Sequence, residues 1–238
     1  MCIRDREWIG PQGEYLRIAG DSAFISVPFH DQRSLVHFND TMLTLTATAL
    51  NPHLQPYTYV DSYRIERLNE DTLVLRAIDS SAYEYMKTWE ADTFVNLAHL
   101  YEGTFFFENV YFARSGMAVM VGDYSNVEFE IDSSGSMLFS CTRAKGKLNG
   151  TYKSHLNRLQ LVQLNELIKR SAPDRLAFPR ERWSDGPGYK FRFYYNNKTV
   201  EAGGHGMSHL AWPLVGFMYS LIDKMPFEKI SDKFGLND

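Results

Sequence analysis

Between Phe105 and Met225 the chain spells out its order of elements almost without ambiguity, and that order limits the fold more than any other feature. An aromatic strand is expected over Phe105–Phe112, then a strand pair around a Ser-Gly turn over Val127–Cys141. An amphipathic helix, a strand over Tyr189–Tyr195 and a closing helix over Pro213–Met225 follow. Val127, Phe129 and Ile131 point one way and Glu128, Glu130 and Asp132 the other, the two-residue period of a half-buried strand. Asp132-Ser-Ser-Gly135 supplies the turn, with glycine free to take positive φ. Asn157 followed by Gln160 matches a capping box and opens a helix whose buried stripe is expected at Leu156, Leu159, Val162, Leu167 and Ile168; Pro173 stops it. Tyr189, Phe191, Phe193 and Tyr195 alternate with Lys190, Arg192 and Tyr194. Pro213 suits the first turn of the last helix, which buries Leu214, Phe217, Met218, Leu221, Ile222 and Met225. The result is a sheet backed by two helices. If the 127–132 and 189–195 strands share that sheet, Glu128 and Glu130 can offset Lys190 and Arg192 on one exposed face, each cross-strand pair being worth roughly 0.2–1 kcal/mol.

The first 80 residues read differently, as an antiparallel β meander. Strands are expected around Tyr15–Ala19 and Ala23–Phe29, ending near Pro28. A long β-branched stretch covers Leu35–Leu50 with its turn at Asn39-Asp40, and Pro52 and Pro56 bracket a loop. The clearest hairpin runs from Tyr63 to Leu68, turns at Asn69-Glu70-Asp71 and returns through Thr72–Arg76. Turns every 8–12 residues favour a barrel or sandwich fragment. Phe94, Leu97, Ala98 and Tyr101 fall at helical spacing and suggest a connecting helix. The fold class is therefore α+β, with an antiparallel β domain at 1–85, a connecting helix or linker at 86–104 and an α+β domain at 105–238.

With 44% hydrophobic and 14% aromatic residues, the 238-residue chain has ample material for a core. Its net charge of −4 is uneven: residues 1–90 hold 8 Lys/Arg against 13 Asp/Glu, and residues 91–238 hold 17 against 16. Neither half has the basic excess of a nucleic-acid binder. Two cysteines, Cys2 and Cys141, have neither zinc nor redox spacing. No apolar run reaches the ~20 residues that span a bilayer. The start, Met-Cys-Ile-Arg-Asp-Arg, has no apolar run behind it like that of a signal peptide. It resembles the read-through that sequencing adapters leave at the ends of gene fragments, which points to an incomplete N-terminus.

The strongest candidate for chemistry is Ala202-Gly-Gly-His-Gly-Met-Ser-His209. Read as a loop between a strand and a helix, it offers backbone N–H groups to an anion through Gly203, Gly204, His205, Gly206, Ser208 and His209. The competing reading is a connection that needs small residues to turn. Gly204-His-Gly206 approaches a dinucleotide fingerprint but has His209 where the third glycine belongs. His205 and His209 are four residues apart and could chelate a metal, though glycine disfavours a helix there and a catalytic zinc wants a third ligand, for which His155 or Asp185 is available. Ser208 is one glycine short of a nucleophile elbow. Gly146–Lys153 has the wrong glycine spacing for a phosphate loop and reads as a turn and strand. Arg143, Lys145, Lys147, Lys153, His155 and Arg158 could contact phosphates, making weak nucleic-acid binding through 143–158 a further alternative; a solvated loop explains them better, because the charge is local and no aromatic platform alternates with it. The acid pairs Glu128 with Glu130, and Glu181 with Asp185, would need a cleft for glycosidase work. Tyr57, Tyr59, Tyr83 and Tyr85 with Trp89 would line a ligand cavity or fill an aromatic core.

Tyr63-Arg-Ile-Glu-Arg-Leu-Asn-Glu-Asp-Thr-Leu-Val-Leu resembles the hairpin of bacterial lipocalin-like domains, which are often carried by envelope lipoproteins. The order of elements from Phe105 to Met225, with Val-Glu-Phe-Glu-Ile-Asp-Ser-Ser-Gly at its centre, resembles small uncharacterised α+β domains that accompany such modules. Related domains often carry cysteines near the first strand, where this chain has Ser115-Gly-Met. The resemblance implies a periplasmic or envelope-associated location and transfers no catalytic residue; an incomplete N-terminus leaves a cytoplasmic one open. The expectation is a non-catalytic module for a small apolar ligand or a protein partner, needing no cofactor, with a hydrolase or metal-dependent enzyme on the His205/His209 stretch as the rival.

Overall fold

The computed structural model describes residues 3, 5–27, 30–39, 41–50, 53–101, 105–116, 124–143, 148–176, 178, 187–231, 233 and 235–236. The chain divides into two compact units, Met1–Glu102 and Gly103–Asp238.

The first unit is a closed barrel of eight antiparallel strands in sequence order. They are β1 (Arg6–Ile9), β2 (Tyr15–Ala19), β3 (Ser22–Val27), β4 (His30–Phe38), β5 (Met42–Leu50), β6 (Pro56–Leu68), β7 (Thr72–Ala77) and β8 (Asp92–Asn96). In general shape it is lipocalin-like. Two turns use one device: the Asn39 side-chain oxygen accepts the N–H groups of Thr41 and Met42 at 3.0 and 2.8 Å, and that of Asn69 accepts those of Asp71 and Thr72 at 2.9 and 2.6 Å. These Asx turns set the register of both hairpins. The helix expected from Phe94, Leu97, Ala98 and Tyr101 does not form. Asp92–Asn96 is strand β8, which pairs with β7 on one side and β1 on the other, so closure gives its backbone two sets of partners. A seven-residue helix, α1 (Ser80–Met86), lies between β7 and β8. Ile3 is fully buried in the barrel core with Trp8, Ile18 and Leu73.

The second unit is a seven-stranded sheet in the order β14-β13-β9-β10-β11-β12-β15. Its strands are β9 (Phe107–Ser115), β10 (Tyr124–Asp132), β11 (Ser136–Arg143), β12 (Gly150–His155), β13 (Gly188–Tyr195), β14 (Lys198–His205) and β15 (Glu228–Ser231). Helices α2 (Arg158–Arg170) and α3 (Trp212–Lys224) pack against each other. The Tyr219 ring of α3 stands edge-on to Phe112 and Phe129, 6.3 Å from each, so α3 covers the apolar face. Asn157 and Gln160 form the expected capping box. The stripe of α2 is corrected: Leu164 and Ile168 are buried with Leu156, whereas Leu159 and Val162 are 81% and 57% exposed. Steps of three residues each turn back about 60° round a helix, so 159 and 162 swing away from the face that carries 164 and 168. Glu128, Glu130, Lys190 and Arg192 do share the polar face, but β9 separates the two strands. Arg192 instead pairs with Glu201 of β14 at 2.6 Å, and its guanidinium lies 5.9 Å from the Tyr111 ring.

Candidate ligand-binding cavity

The barrel interior alternates in and out along each strand, and eight strands enclose just enough room for side chains or one small ligand. Both outcomes are present, at opposite ends. At the end carrying the 69–71 turn, Arg6 donates to the carbonyls of Asn69 and Glu70 at 3.1 Å each, and its guanidinium lies 5.8 Å from the Trp8 ring. The Asn96 amide donates to the same Glu70 carbonyl at 2.8 Å. That end is filled and tied shut. Trp8 is fully buried there, and its indole N–H has no hydrogen-bond partner among the described residues.

At the α1 end a cavity remains. Its apolar wall is Leu16, Ile25, Leu43, Leu45, Leu75 and Phe94 from five strands. Helix α1 supplies Tyr85 and Met86, Tyr15 and Tyr63 complete the aromatic part, and Glu14 is the one acidic side chain in the lining. The cavity volume is about 20 Å³. That volume suits one water or a group of a few atoms, not an extended lipid chain.

Two acids anchor the helix that closes this end. Asp79 caps α1, one carboxylate oxygen accepting from the Ala82 N–H and the other from the Ser62 N–H of β6, both at 2.8 Å. Asp61, fully buried on β6, accepts from the Ser81 hydroxyl. Lys87 ends the helix in the left-handed region at φ 55°, its N–H donating to the Tyr83 carbonyl at 2.6 Å. Burial and the Asp61 charge push the hydroxyls of Tyr63 and Tyr85 up in pKa, so both stay neutral donors at any ordinary pH. Glu14 is held by its turn. Its Oε2 accepts from the Gln12 N–H at 2.9 Å, and a Cβ on Gly10 would stand 2.4 Å from that oxygen and 3.0 Å from the Phe94 ring.

Of the five aromatics singled out in the sequence, Tyr85 lines the cavity. Tyr59 is hydrogen-bonded to it, Tyr83 stacks on Trp89 with centroids 4.8 Å apart, and Tyr57 and Trp89 are exposed. Glu14 and Met86 were missed. The signal for Glu14 was an acid straight after a Gly-Pro-Gln-Gly turn and straight before an apolar strand.

The 203–209 stretch is mostly not a loop. Gly203, Gly204 and His205 belong to β14, in register with Lys190, Tyr189 and Gly188 of β13. A Cβ on Gly203 would meet the Tyr189 carbonyl oxygen at 2.6 Å, so close strand approach accounts for that glycine. Gly206 turns the chain at φ 80°, Ser208 precedes a 3₁₀ turn (His209–Ala211) without a side-chain capping bond, and His209 opens that turn. Among the described residues no three of His, Cys, Asp and Glu converge as a metal set. His155 is exposed on β12; Asp185 and Glu181 lie outside the described residues.

In the 143–158 cluster, Lys153 pairs with Glu228 at 3.1 Å and Arg158 is exposed at the start of α2. The Arg143 side chain, Lys145 and Lys147 fall outside the description, as do Cys2, Pro28, Phe29, Asp40 and Pro52. Cys141 is buried as a thiol that donates to the Leu148 carbonyl oxygen at 3.1 Å. Glu128 accepts from the Leu236 N–H at 2.9 Å and Glu130 from the Asn109 amide at 3.1 Å; burial, then the Glu128 charge, pushes the Tyr111 hydroxyl up to about 12. No helix among the described residues is long and apolar enough to cross a membrane.

No protein family, curated protein or solved structure matches this chain. Any function must therefore be argued from the geometry.

Proposed function

We propose that the chain is a non-catalytic binding protein whose barrel unit takes a small apolar ligand at the α1 end. The observation that carries this reading is the difference between the two barrel ends. One is packed and tied by Arg6; the other keeps an apolar space under a short helix held by Asp61 and Asp79. A well-packed interior leaves few voids larger than a water molecule, and retaining one costs dispersion contacts. A void that concentrates six apolar side chains and a methionine under one short helix has the composition of a ligand pocket. Its size restricts the occupant to a few heavy atoms unless Met86, with its unbranched side chain, moves aside.

Thermal unfolding of the full chain with small hydrocarbons, alcohols and longer amphiphiles tests this. A ligand at ~100-fold its dissociation constant adds roughly 2.7 kcal/mol, which for a barrel of this length raises its transition by roughly 10–20 °C. Small apolar molecules should shift the barrel transition. A flat response to every size class would defeat the reading and turn attention to protein partners.

A further inference from the structure

We infer that the barrel unit pairs with a second copy of this chain, edge to edge, along residues 56–60 of β6. None of these residues lines the cavity, and the pairing does not depend on what the cavity holds.

Three observations converge. First, β6 carries an unused edge. It pairs with β5 along its whole length, from Pro56 opposite Leu50 to Arg64 opposite Met42, but with β7 only from Tyr63 onward. Ser62 turns both backbone groups to the β7 side: its carbonyl accepts from the Ile78 N–H at 3.1 Å, and its N–H donates to Asp79 at 2.8 Å. Backbone groups alternate sides along a strand, so those of Thr58 and Val60 point the same way. The chain has by then left for α1, and among the described residues nothing bonds them there. Second, that edge carries no charge. From Met42 to Val60 the sequence has no Asp, Glu, Lys or Arg, although charges are the usual means of keeping strand edges apart. A two-fold interface sets each patch against itself, so an uncharged patch is what self-pairing requires. Third, the hairpin exposes apolar bulk: Leu50, Leu54 and Tyr57 are 61%, 77% and 48% exposed, and Val60 43%. A two-fold axis through Thr58 would oppose Tyr57 to the copy's Tyr59 and Val60 to the copy's Pro56, favourable aromatic and apolar cross-strand pairs. The two Thr58 residues would exchange N–H and carbonyl across the axis. A bilayer would leave those backbone groups without partners; a second strand satisfies them.

Sedimentation velocity of the full chain over a wide concentration range reads the oligomeric state. The wild type should pass from monomer to dimer, with amide exchange at Thr58 and Val60 slowing as the dimer forms. Thr58→Pro removes both hydrogen bonds at the axis and should weaken the dimer about tenfold or more; the bonds between β5 and β6 survive, because the Thr58 N–H points away from β5. Thr58→Lys and Thr58→Asp each set like charges face to face and should each be monomeric, whereas an equal mixture of the two should dimerise again. Should Thr58→Pro fail to fold, the charged pair and its mixture decide. A wild type that stays monomeric throughout overturns the inference, whether or not its hairpin then binds vesicles or an extended peptide. A dimer that all three substitutions leave intact overturns it too, since the contact then lies elsewhere.

Discussion

Met86 offers a perturbation whose size can be worked from the structure. It is 3% exposed and lies between the α1 backbone and the cavity. Truncation to alanine removes three heavy atoms, a transfer loss of roughly 2 kcal/mol at ~0.8 kcal/mol per methylene. A residual-cavity contribution normally raises methionine-to-alanine changes to as much as ~5 kcal/mol. Here one side of the side chain already faces empty space, so fewer dispersion contacts are lost and we expect about 2–3 kcal/mol. Leu73 is the control: fully buried in the same barrel and absent from the cavity wall, it should cost about 3–5 kcal/mol as Leu73→Ala. Urea unfolding followed by tryptophan fluorescence reads both. With two units, the transitions must be fitted separately. Met86→Ala should also tighten binding of any ligand too bulky for the native space. A Met86→Ala cost equal to or above that of Leu73→Ala, with no gain in ligand affinity, would refute the reasoning.

Other perturbations test the second unit. Asn157→Ala removes a complete capping box and should destabilise α2 by about 1 kcal/mol, read by urea unfolding. Gly203→Val places a Cβ 2.6 Å from a backbone oxygen, so β14 should separate from β13; faster amide exchange at Phe191 and Phe193 with α2 unchanged would report it. The Asp132 carboxyl is lowered in pKa: burial opposes this, but hydrogen bonds from Ser134, Ser136 and Gly135 prevail. A depressed folded-state pKa contributes stability that is present above the unfolded value of ~3.9 and lost as pH falls through the folded value. The stability difference between wild type and Asp132→Asn should therefore be constant from pH 7 to about 5 and shrink below pH 4.

Local chemistry was legible where short-range rules decide. The Asn157–Gln160 box, the Asp132-Ser-Ser-Gly135 turn and the Asn39 and Asn69 turns all stand where their side chains dictate. What escaped depends on closure in three dimensions. Asp92–Asn96 is five residues long, too short for its alternation to outweigh the helical spacing of Phe94, Leu97 and Tyr101, and it becomes a strand because β1 and β7 flank it. β14 was hidden by glycines that read as a loop, although one of them is there because β13 comes close. The cavity combines residues from β2 to β8 with α1, and nothing in the local pattern of Glu14 or Met86 announces their meeting. Tyr85 was legible as an aromatic near a candidate cavity; Tyr57 and Trp89, equally aromatic, face outward.

Xenon is the most direct probe of whether the α1 end of the barrel is an accessible apolar site, because an apolar atom enters a dry void without needing a polar partner. Methyl spectra of the full chain under xenon pressure should show saturable shifts at Leu16, Ile25, Leu43, Leu45 and Leu75, with the methyls of Leu73 and Ile18 in the packed part of the barrel core far less affected. Shifts spread evenly over both sets, or none at the five wall residues, would contradict the account.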